Sequence, residues 1–423
     1  MQLSFLGGAK EVGRSAILVD TDTEKILLDY GLKMNVSPLE YPKNVDAKLN
    51  AIFISHAHLD HNGAIPLLFH QGQRCPIFCK DINRPFSRML LYDSYKISRY
   101  EGEKERFQKK DIKVTLSHFK TVDYKQPIRI GKSRAFLHDG GHIPGSAMIL
   151  LESQNKRILY TGDFNTLDST LIKGADKDIP EVDVLITEST YAQREHPDRE
   201  KEERIMIETI KGTLSNDGIA LVSCFAISRA QEILLILDEY ELDYPVYLDG
   251  MAYKATKIIN SYPGLQREYN QVKKAMQRLG VKPIKSPQKR KKIIKQPCII
   301  VTTSGMLTGG PISYYLEKLW DREDCSLILT GFQVPGTEGA ILLETGNYIH
   351  NDLELPLKMY YKKFDFSSHA SRSELFKFVK KVNPGKVFCV HGDNTEGFAR
   401  DLKEEHGFDA ISPKSDKIYS INP

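Results

Sequence analysis

Short apolar runs separated by polar turns dominate the first part of the chain. Two of them, 15–20 and 25–29, flank the polar tip Thr21-Asp22-Thr23-Glu24, a pattern that predicts a β-hairpin. Helix-like spacing of apolar residues predicts helices over 63–71 and 84–97. Further apolar or β-branched runs predict strands at 51–55, 76–79, 134–138, 147–152, 157–161 and 183–187. This region is therefore predicted to be rich in strands, with polar residues at several strand ends.

From about residue 195 the pattern changes to a regular alternation of strands and helices. The predicted elements are helix 200–212, strand 218–225, helix 228–241, strand 245–249, helix 251–261, strand 298–303, helix 312–320 and strand 326–331. Such alternation indicates βαβ units and a mainly parallel sheet. After about 355 come strand 357–361, helix 371–382, strand 386–390, helix 394–405 and strand 417–421. We therefore expect an inserted domain at 195–355, which divides a second domain into 1–194 and 356–423.

Composition narrows the class of protein but does not identify its partner. A chain of 423 residues with 41% hydrophobic and 27% charged residues has the size of two or three globular domains and excludes a collagen-like or wholly disordered chain. The net charge of +4 neither predicts nor forbids nucleic-acid binding. No apolar stretch approaches the ~18 residues of a membrane span, no secretory signal is recognisable, and the six cysteines lie mostly in apolar runs. We expect a soluble cytoplasmic protein with buried thiols.

One segment, residues 266–295, is rich in lysine and arginine and ends in Lys289-Arg290-Lys291-Lys292. Two interpretations remain open from the sequence. The segment is either a solvated amphipathic helix with a polar loop, or a rim that contacts phosphates.

The strongest chemical signal is Ser55-His56-Ala57-His58-Leu59-Asp60-His61, between a predicted strand and a predicted helix. Four metal-binding side chains in seven residues are not explained by core packing. In an extended segment, His56 and His58 point the same way and can bind one ion. Asp60 and His61, displaced by the turn, can then serve a second ion.

Further ligands are expected downstream at strand ends. His142 follows strand 134–138 in a glycine-rich turn, and Asp163 follows strand 157–161. Asp29 ends an earlier strand and is expected to orient a ligand by hydrogen bonding. Imidazole and carboxylate ligands without a nearby cysteine pair favour Zn²⁺, while Mn²⁺ and Fe²⁺ also fit this ligand set.

Together, Asp29, the HxHxDH segment, His142 and Asp163 resemble the motifs of metallo-β-lactamase-fold hydrolases. Glu188, His369 and His391 resemble the three additional motifs of the β-CASP branch, whose members process nucleic acids. The opening segment Gly7-Gly8-Ala9-Lys10-Glu11-Val12-Gly13-Arg14-Ser15 is closer to the cleavage and polyadenylation specificity factor nucleases, in their short archaeal form, than to RNase J. The resemblance covers essentially the whole chain. It implies an α/β protein, an αββα metallo-β-lactamase sandwich with an inserted α/β β-CASP domain.

The resemblance also implies a set of roles. One metal ion would be held by His56, His58, His142 and Asp163, and a second by Asp60, His61, Asp163 and His391, so that Asp163 bridges and Asp60 is both ligand and catalytic residue. The two ions would activate a hydroxide for phosphodiester hydrolysis. His369 would act as the general acid, with Glu188 keeping it protonated.

The expected substrate is single-stranded RNA, cut internally, trimmed from 5′ to 3′, or both, in RNA 3′-end processing or decay. The resemblance suggests a homodimer, and partners in an RNA-processing complex are conceivable. The resemblance suggests that Ser304, Gly305, Gly309 and Gly310 present backbone amides to phosphates. For Ser223, Phe225 and Arg229, at a strand-to-helix junction, two interpretations remain open: a phosphate-binding and base-stacking face, or an aromatic core residue and a helix start capped by Ser228. Two alternatives are a catalytically silent scaffold subunit and a small-molecule metallo-hydrolase. The complete ligand set argues against the first, and the inserted domain and His369 argue against the second.

Overall fold

The structure is a computed structural model that describes residues 1–34, 36–351 and 353–421. The chain forms two compact units. The first unit comprises Met1–Asp168, Gly174–Glu195 and the chain from Ser368 onward, and the second comprises Ser169–Lys173 and His196–Ser367. The six cysteines are all buried. Within the described residues, no helix has the length and apolar character needed to cross a membrane.

The elements follow the chain in a simple order. Up to residue 195 they are β1 (Gln2–Gly7), β2 (Ala16–Asp20), β3 (Lys25–Leu28), β4 (Ala51–Phe53), α1 (Leu59–Asn62), α2 (Ile65–His70), β5 (Ile77–Cys79), α3 (Asn83–Tyr100), α4 (Lys109–Ser117), β6 (Phe119–Thr121), β7 (Ile128–Ile130), β8 (Ser133–Asp139), β9 (Ala147–Ser153), β10 (Lys156–Tyr160) and β11 (Val184–Glu188).

The remaining elements belong to the second unit up to residue 367 and to the first unit from residue 368. Before it lie α5 (Arg199–Ser215), β12 (Ile219–Ser223), α6 (Arg229–Glu239), β13 (Val246–Leu248), α7 (Met251–Asn260), a 3₁₀ turn (Pro263–Leu265), α8 (Gln271–Arg278), β14 (Lys282–Pro283), α9 (Pro287–Ile293), β15 (Cys298–Thr302), α10 (Pro311–Leu319), β16 (Ser326–Leu329), α11 (Glu338–Thr345), β17 (Asn347–His350), β18 (Leu353–Pro356) and β19 (Tyr360–Lys363). After it lie α12 (Arg372–Val382), β20 (Lys386–Val390), α13 (Thr395–His406), β21 (Ala410–Ile411) and β22 (Ile418–Ser420).

The first unit is a four-layer sandwich. Two seven-stranded sheets of described residues, in the orders β22-β1-β2-β3-β4-β5-β6 and β21-β20-β11-β10-β9-β8-β7, enclose a shared apolar core. Alternate side chains of a strand point to opposite faces, so Ile26 and Leu28 pack between the sheets whereas Leu27 packs outward among residues of α2 and α4. Helices α12 and α13 cover the outer face of the other sheet. The αββα architecture expected from the sequence is confirmed.

The predicted hairpin at the start of this unit forms as β2 and β3, with Asp20 opposite Lys25. Its polar tip has a structural role, because the buried carboxylate of Glu24 accepts hydrogen bonds from the hydroxyls of Thr21, Thr23 and Ser133 and from the backbone N–H of Lys132. Lys132 and Ser133 lie at the β7–β8 turn of the other sheet. Glu24 therefore joins the two sheets at one edge of the sandwich.

The second unit contains a parallel sheet in the order β14-β13-β15-β12-β16-β19. Helices cover both faces: Val222 belongs to the core cluster that includes α5 and α6, whereas Leu221 belongs to the cluster that includes α10. This arrangement confirms the predicted parallel sheet flanked by helices. Its carboxyl edge carries the segments after β12 and β15, where the candidate RNA contacts were expected.

Two strands differ from the sequence analysis. The strand expected at 357–361, in the returning part of the first domain, lies at Tyr360–Lys363 and pairs with β16 of the second unit. A strand's own sequence does not specify its partner, and here β16 offers an open edge. The boundary between the units accordingly lies at 367/368. Strand β1 was not expected, although Leu3 and Phe5 alternate with polar residues as a half-buried strand requires.

Candidate metal centre and active site

The candidate ligands lie directly after strands of the first unit. The HxHxDH segment follows β4, His142 follows β8, Asp163 follows β10 and His391 follows β20. Strands β10, β11 and β20 are parallel to one another. Strand β8 runs in the same direction as β10, because β8 and β10 are both antiparallel to β9. Their carboxyl ends therefore meet at one edge of the sheet, which explains how residues so far apart in sequence converge.

The first ligand group consists of His56, His58 and His142. His58 Nδ1 lies 3.0 Å from His56 Nε2 and 3.4 Å from His142 Nε2. Asp163 Oδ2 lies 3.6 Å from His56 Nε2 and 3.8 Å from His142 Nε2. Three imidazole nitrogens and one carboxylate oxygen thus face a common point.

The second group consists of Asp60, His61, Asp163 and His391. Asp163 Oδ1 lies 3.3 Å from His61 Nε2 and 3.7 Å from His391 Nε2. Asp60 Oδ2 lies 3.9 Å and 3.8 Å from the same two nitrogens. Asp163 therefore directs one carboxylate oxygen into each group, which is the arrangement of a ligand shared by two ions.

In three of the histidine rings, the nitrogen that faces away from the cluster lies within hydrogen-bonding distance of another group. His61 Nδ1 lies 2.7 Å from Asp29 Oδ2, His142 Nδ1 lies 2.9 Å from the Ser368 carbonyl oxygen, and His391 Nδ1 lies 2.9 Å from Ser15 Oγ. A proton on Nδ1 leaves the lone pair of Nε2 for a metal ion, and the hydrogen bond fixes the orientation of the ring. The hydrogen bonding of these three histidines therefore suits ligation through Nε2.

Asp29 accepts hydrogen bonds from several groups in this part of the candidate site. Its Oδ1 accepts from the Ser55 backbone N–H at 2.7 Å, and its Oδ2 accepts from the hydroxyls of Ser55 and Tyr160 as well as from His61. The carboxylate is completely buried. It connects β3 to the start of the HxHxDH segment and to the end of β10.

Burial and charge indicate that the cluster is built for cations. Nε2 of His61 and Oδ1 of Asp163 are buried and have no hydrogen-bond partner among the described residues. Burial, together with neighbouring histidines, lowers the pKa of His56 and His142 well below the ordinary value. Burial would raise the pKa of Asp163, but His61 and His391 hold it well below its usual range. Neutral imidazoles and an ionised carboxylate are the forms that bind metal ions, so these residues fit a divalent metal site.

The second group attracts positive charge most strongly. Burial lowers the pKa of His61, but the carboxylates of Asp163, Asp60 and Asp29 raise it well above its ordinary value. A proton on this ring compensates the same negative charge that a bound cation would compensate. We therefore expect metal binding to displace a proton from His61.

His369 and Glu188 form a pair beside the first group. Glu188 ends β11, is buried, and accepts the Phe164 backbone N–H at 2.8 Å. Its carboxylate oxygens lie 2.9 and 3.1 Å from His369 Nδ1. The His369 ring lies 4.6 Å from the His142 ring, centroid to centroid. Burial lowers the pKa of His369, but Glu188 outweighs this effect and raises it to about 9.

The expected RNA contacts of the second unit lie in different environments. Phe225 follows β12 with 37% of its surface exposed, and its ring packs against Gly331, where an added Cβ would lie 2.8 Å from the ring. Gly309 and Gly310 precede α10, both with positive φ, and an added Cβ on Gly309 would find no atom closer than 4.0 Å. These positions leave an aromatic surface and glycine backbone open at the carboxyl edge of the sheet.

The remaining expected contacts have internal partners. Ser223 is buried and donates its hydroxyl to the Ser304 carbonyl oxygen at 2.8 Å. Arg229 is only 6% exposed and forms an ion pair with the buried carboxylate of Glu232. The structure thus gives Ser223 and Arg229 stabilising contacts within the second unit. Gly305 packs closely on the Phe225 backbone, where an added Cβ would lie 3.0 Å from the nitrogen.

Three residues around the metal cluster were missed by the sequence analysis. Ser15 contacts His391, Tyr160 contacts Asp29, and Gly31 allows the chain to approach the HxHxDH segment, since an added Cβ would lie 1.7 Å from the Asp60 carbonyl oxygen. The available signals were weak. Ser15 ends the glycine-rich opening segment, and Tyr160 and Gly31 each lie within three residues of a candidate carboxylate.

Three family models match successive parts of the chain. A metallo-beta-lactamase superfamily domain matches residues 18–189, a Beta-Casp domain matches 230–342, and a Zn-dependent metallo-hydrolase RNA specificity domain matches 354–413. The chain belongs to the β-CASP branch of the metallo-β-lactamase superfamily. The family resemblance drawn from the sequence motifs is thereby confirmed.

Several relatives of this β-CASP protein are similar over most of its length. "Probable RNase MJ4" of Methanocaldococcus jannaschii is 42% identical over 98% of each chain. "RNase aCSPSF2" of Saccharolobus solfataricus is 33% identical over 99% of this chain and 85% of its own. "Transcription termination factor FttA" of M. jannaschii is 34% identical over 94% of this chain and 67% of its own. A crystal structure of a protein of unknown function from Enterococcus faecalis shares the fold, with 14% identity, a TM-score of 0.63 and 99% coverage of both chains.

Proposed function

We propose that this protein is a metal-dependent ribonuclease that hydrolyses phosphodiester bonds of single-stranded RNA in RNA 3′-end processing or decay. The observation that carries the proposal is the position of Asp163, whose two carboxylate oxygens face two separate ligand groups beside the His369–Glu188 pair. The similarity to proteins named as ribonucleases supports the same conclusion.

In this proposal, His56, His58, His142 and Asp163 hold one divalent ion, and Asp60, His61, Asp163 and His391 hold the other. Bound ions would lower the pKa of water and neutralise the negative charge that develops on the phosphoryl group. The protein's own contribution is to keep the ligands oriented. Asp29, Ser15 and the Ser368 carbonyl oxygen do so through the Nδ1 atoms of His61, His391 and His142.

His369 is proposed to donate the proton that the leaving 3′-oxygen requires. With Nδ1–H held by Glu188, Nε2–H of the imidazolium is the group that protonates the leaving oxygen. Glu188 stabilises the protonated ring and fixes its orientation. General acid catalysis of this kind contributes about 10²- to 10⁴-fold to the rate.

The second unit is proposed to contact the RNA through groups at the carboxyl edge of its sheet. Phe225 offers a partly exposed ring on which a base can stack, and Ser304, Gly305, Gly309 and Gly310 offer a hydroxyl and backbone amides to phosphates. Ser223 and Arg229 support this edge from within the unit by contacting Ser304 and Glu232.

The proposal is tested with a purified chain and RNAs labelled at the 5′ end, bearing a monophosphate or a triphosphate. Cleavage that stops on addition of a chelator and returns with Zn²⁺ is expected. Mononucleotide released only from the monophosphate RNA would identify 5′-to-3′ trimming, and internal fragments from both RNAs would identify endonucleolytic cutting. Metal-loaded protein that cleaves neither RNA would contradict the proposal, leaving a silent scaffold or, if small esters are hydrolysed, a small-molecule hydrolase.

The identity of the ions belongs to the proposal as well. Histidine and carboxylate ligands favour Zn²⁺, with Mn²⁺ and Fe²⁺ as alternatives. Elemental analysis of protein purified without added metal would distinguish the three. A cytoplasmic location and a homodimer are part of the same proposal, and light scattering of the purified chain tests the second.

A further inference from the structure

The second unit contains a long segment without acidic residues. Between Glu268 and Glu317 the chain carries eight lysines and two arginines but no aspartate or glutamate. The whole chain has a net charge of only +4, so this segment is far more basic than the average of the protein. It comprises α8, β14, α9, β15 and the start of α10.

Three of the ten cations have structural roles. Arg290 forms two hydrogen bonds, of 2.7 and 2.9 Å, with the completely buried carboxylate of Asp249, which also accepts the Tyr315 hydroxyl. Lys289 donates to the Pro283 carbonyl oxygen at 2.8 Å, and Arg278 is paired with Asp238. These contacts attach helices α8 and α9 to the rest of the unit.

The other seven cations are exposed lysines, and none of them forms an ion pair with another described residue. They are Lys273, Lys274, Lys282, Lys285, Lys291, Lys292 and Lys295. Five of them, Lys282, Lys285, Lys291, Lys292 and Lys295, lie on β14, on α9 and on the loops that flank this helix, and are called the lysine rim below. Arg290 and the buried Ile293 fix α9 against the sheet, so the rim is held in place by its own helix.

An ordinary solvated helix of the same unit looks different. Helix α5 mixes the two signs of charge along its length: Arg199, Lys201, Arg204 and Lys211 with Glu200, Glu202, Glu203 and Glu208. Opposite charges three or four residues apart stabilise a helix, whereas like charges destabilise it. The rim lacks any such compensation. Its charges are therefore better explained by a negatively charged ligand than by solvation of the helix.

Protection of an exposed edge strand against pairing with another chain explains only one of the five rim lysines. Strand β14 is at the edge of the parallel sheet, and lysine on an edge strand discourages pairing with another chain. This explains Lys282 but not Lys291, Lys292 and Lys295, which lie in or after α9. A membrane surface is also a poor match, because interfacial helices need an exposed apolar face and Ile284 and Ile293 are buried in the core.

We propose that the lysine rim is an RNA-binding surface that contacts the phosphate backbone of single-stranded RNA without reading its sequence. The inference rests on the proposed RNA substrate and adds to it a surface separate from the residues that hold the metal ions. Each lysine that neutralises a phosphate of single-stranded RNA releases a counterion. In a plot of the logarithm of the association constant against the logarithm of the salt concentration, each such lysine makes the slope more negative by about 0.7. The rim would thus increase affinity for RNA and leave the chemical step unchanged.

The test compares two full-length variants in a His369→Asn background, which should slow cleavage during titration about 10²- to 10⁴-fold. One replaces the five rim lysines by glutamine. The control replaces five exposed lysines of the first unit, Lys104, Lys109, Lys110, Lys113 and Lys120, of which the first four lie among acidic residues. Binding of a fluorescent single-stranded RNA is measured between about 50 and 200 mM salt, and a thermal melt confirms that both variants fold.

The rim variant is expected to lose at least about two units of salt slope and more than tenfold in affinity near 0.1 M salt, while the control stays close to the parent. With His369 restored, KM for RNA should rise and kcat should stay the same. Equal slopes in the two variants would overturn the proposal, as would loss of binding to phosphatidylserine vesicles with unchanged RNA binding. If the wild-type chain binds RNA through the rim but never cleaves it, the proposed ribonuclease activity fails and the RNA-binding surface stands.

Discussion

Strands end in two different ways in the two units of this protein. In the first unit, β10 leads into the buried carboxylate of Asp163, and β8 and β20 lead into His142 and His391, whose Nε2 atoms lie 3.8 and 3.7 Å from it. Strand β11 ends at Glu188, which contacts His369. In the second, β12 and β15 lead into glycines, serines and a half-exposed aromatic ring. Buried charged groups need a compensating cation, whereas exposed amides, rings and lysines suit a long, flexible, negatively charged ligand. Changes in the first unit should therefore alter metal binding or catalysis, and changes in the second should alter RNA affinity.

The largest effect is expected from His369→Asn. Because His369 donates the leaving-group proton in our proposal, kcat for RNA cleavage should fall about 10²- to 10⁴-fold while the metal content stays at the wild-type level. His350→Asn is the matched control, since His350 forms a similar pair with Glu338 in the second unit, with 3.0 Å between Nδ1 and Oε1. A His369→Asn variant that cleaves RNA at the wild-type rate would remove the general acid from the account.

Asp29→Asn should mainly affect metal affinity. The substitution removes the carboxylate that orients His61, and the loss of such a partner weakens metal binding or activity about 10- to 100-fold. Competition with a chelator of known affinity measures the change. Glu24→Gln is the control, because Glu24 is also a buried carboxylate with several donors but lies away from the ligands. Equal loss of metal affinity in both variants would show that Asp29 acts only through folding.

Phe225→Leu should leave the metal content and the melting temperature nearly unchanged but weaken binding of single-stranded RNA about tenfold, since stacking contributes about 1–3 kcal/mol per base. The comparison uses a series of RNAs, each with a single abasic site at a different position. At one position the abasic site should weaken RNA binding by the wild-type chain but leave RNA binding by the Phe225→Leu variant unchanged. Identical abasic profiles for the two proteins would exclude a stacking role for this ring.

The smallest expected effect concerns stability in acid. Burial would raise the pKa of Glu24, but the hydrogen bonds from Lys132, Thr21, Thr23 and Ser133 lower it to about 2 from an unfolded value near 4.5. Because the folded-state pKa is the lower one, the stabilisation is present above pH 4.5 and is lost as the pH falls towards 2. Glu24→Gln should cost about 1–3 kcal/mol of unfolding free energy at pH 7 and less at pH 3. Urea denaturation at the two pH values tests this, and a constant difference would contradict it.

The sequence indicates the candidate metal ligands more clearly than the proposed RNA contacts, for a physical reason. Metal ligation requires particular side chains, so His56, His58, Asp60 and His61 are recognisable in seven consecutive residues. His142 and Asp163 are recognisable through their places after strands, and His391 through its family motif. Backbone amides that bind phosphates, and side chains that stabilise a loop from within the unit, do not require particular residue types at a recognisable spacing. Arg229 in isolation resembles an exposed cation, and only its pairing with Glu232 in the folded unit shows that it is internal.

In the fold, too, the features that depend on local sequence were predicted better than those that depend on contacts between distant segments. The αββα sandwich and the parallel sheet follow from local periodicity and from the family motifs, and most helices lie within a few residues of their predicted positions. Strand β19 was expected in the returning part of the first domain, whereas in the structure it pairs with β16 of the second unit. The pairing depends on the open edge of the folded sheet, which the local sequence of β19 does not encode. Short edge strands such as β14 and β21 carry too few residues for a pattern to be recognised.

In our proposal Asp163 is shared by two metal ions, so the number of ions bound per chain should depend on its carboxylate. Elemental analysis should find about two ions per wild-type chain and about one in the single variants His58→Asn and His391→Asn, each of which changes one ligand group. Asp163→Asn changes both groups and should retain less than one ion while folding normally. Two ions retained by Asp163→Asn, or a single ion in the wild-type chain, would contradict the account.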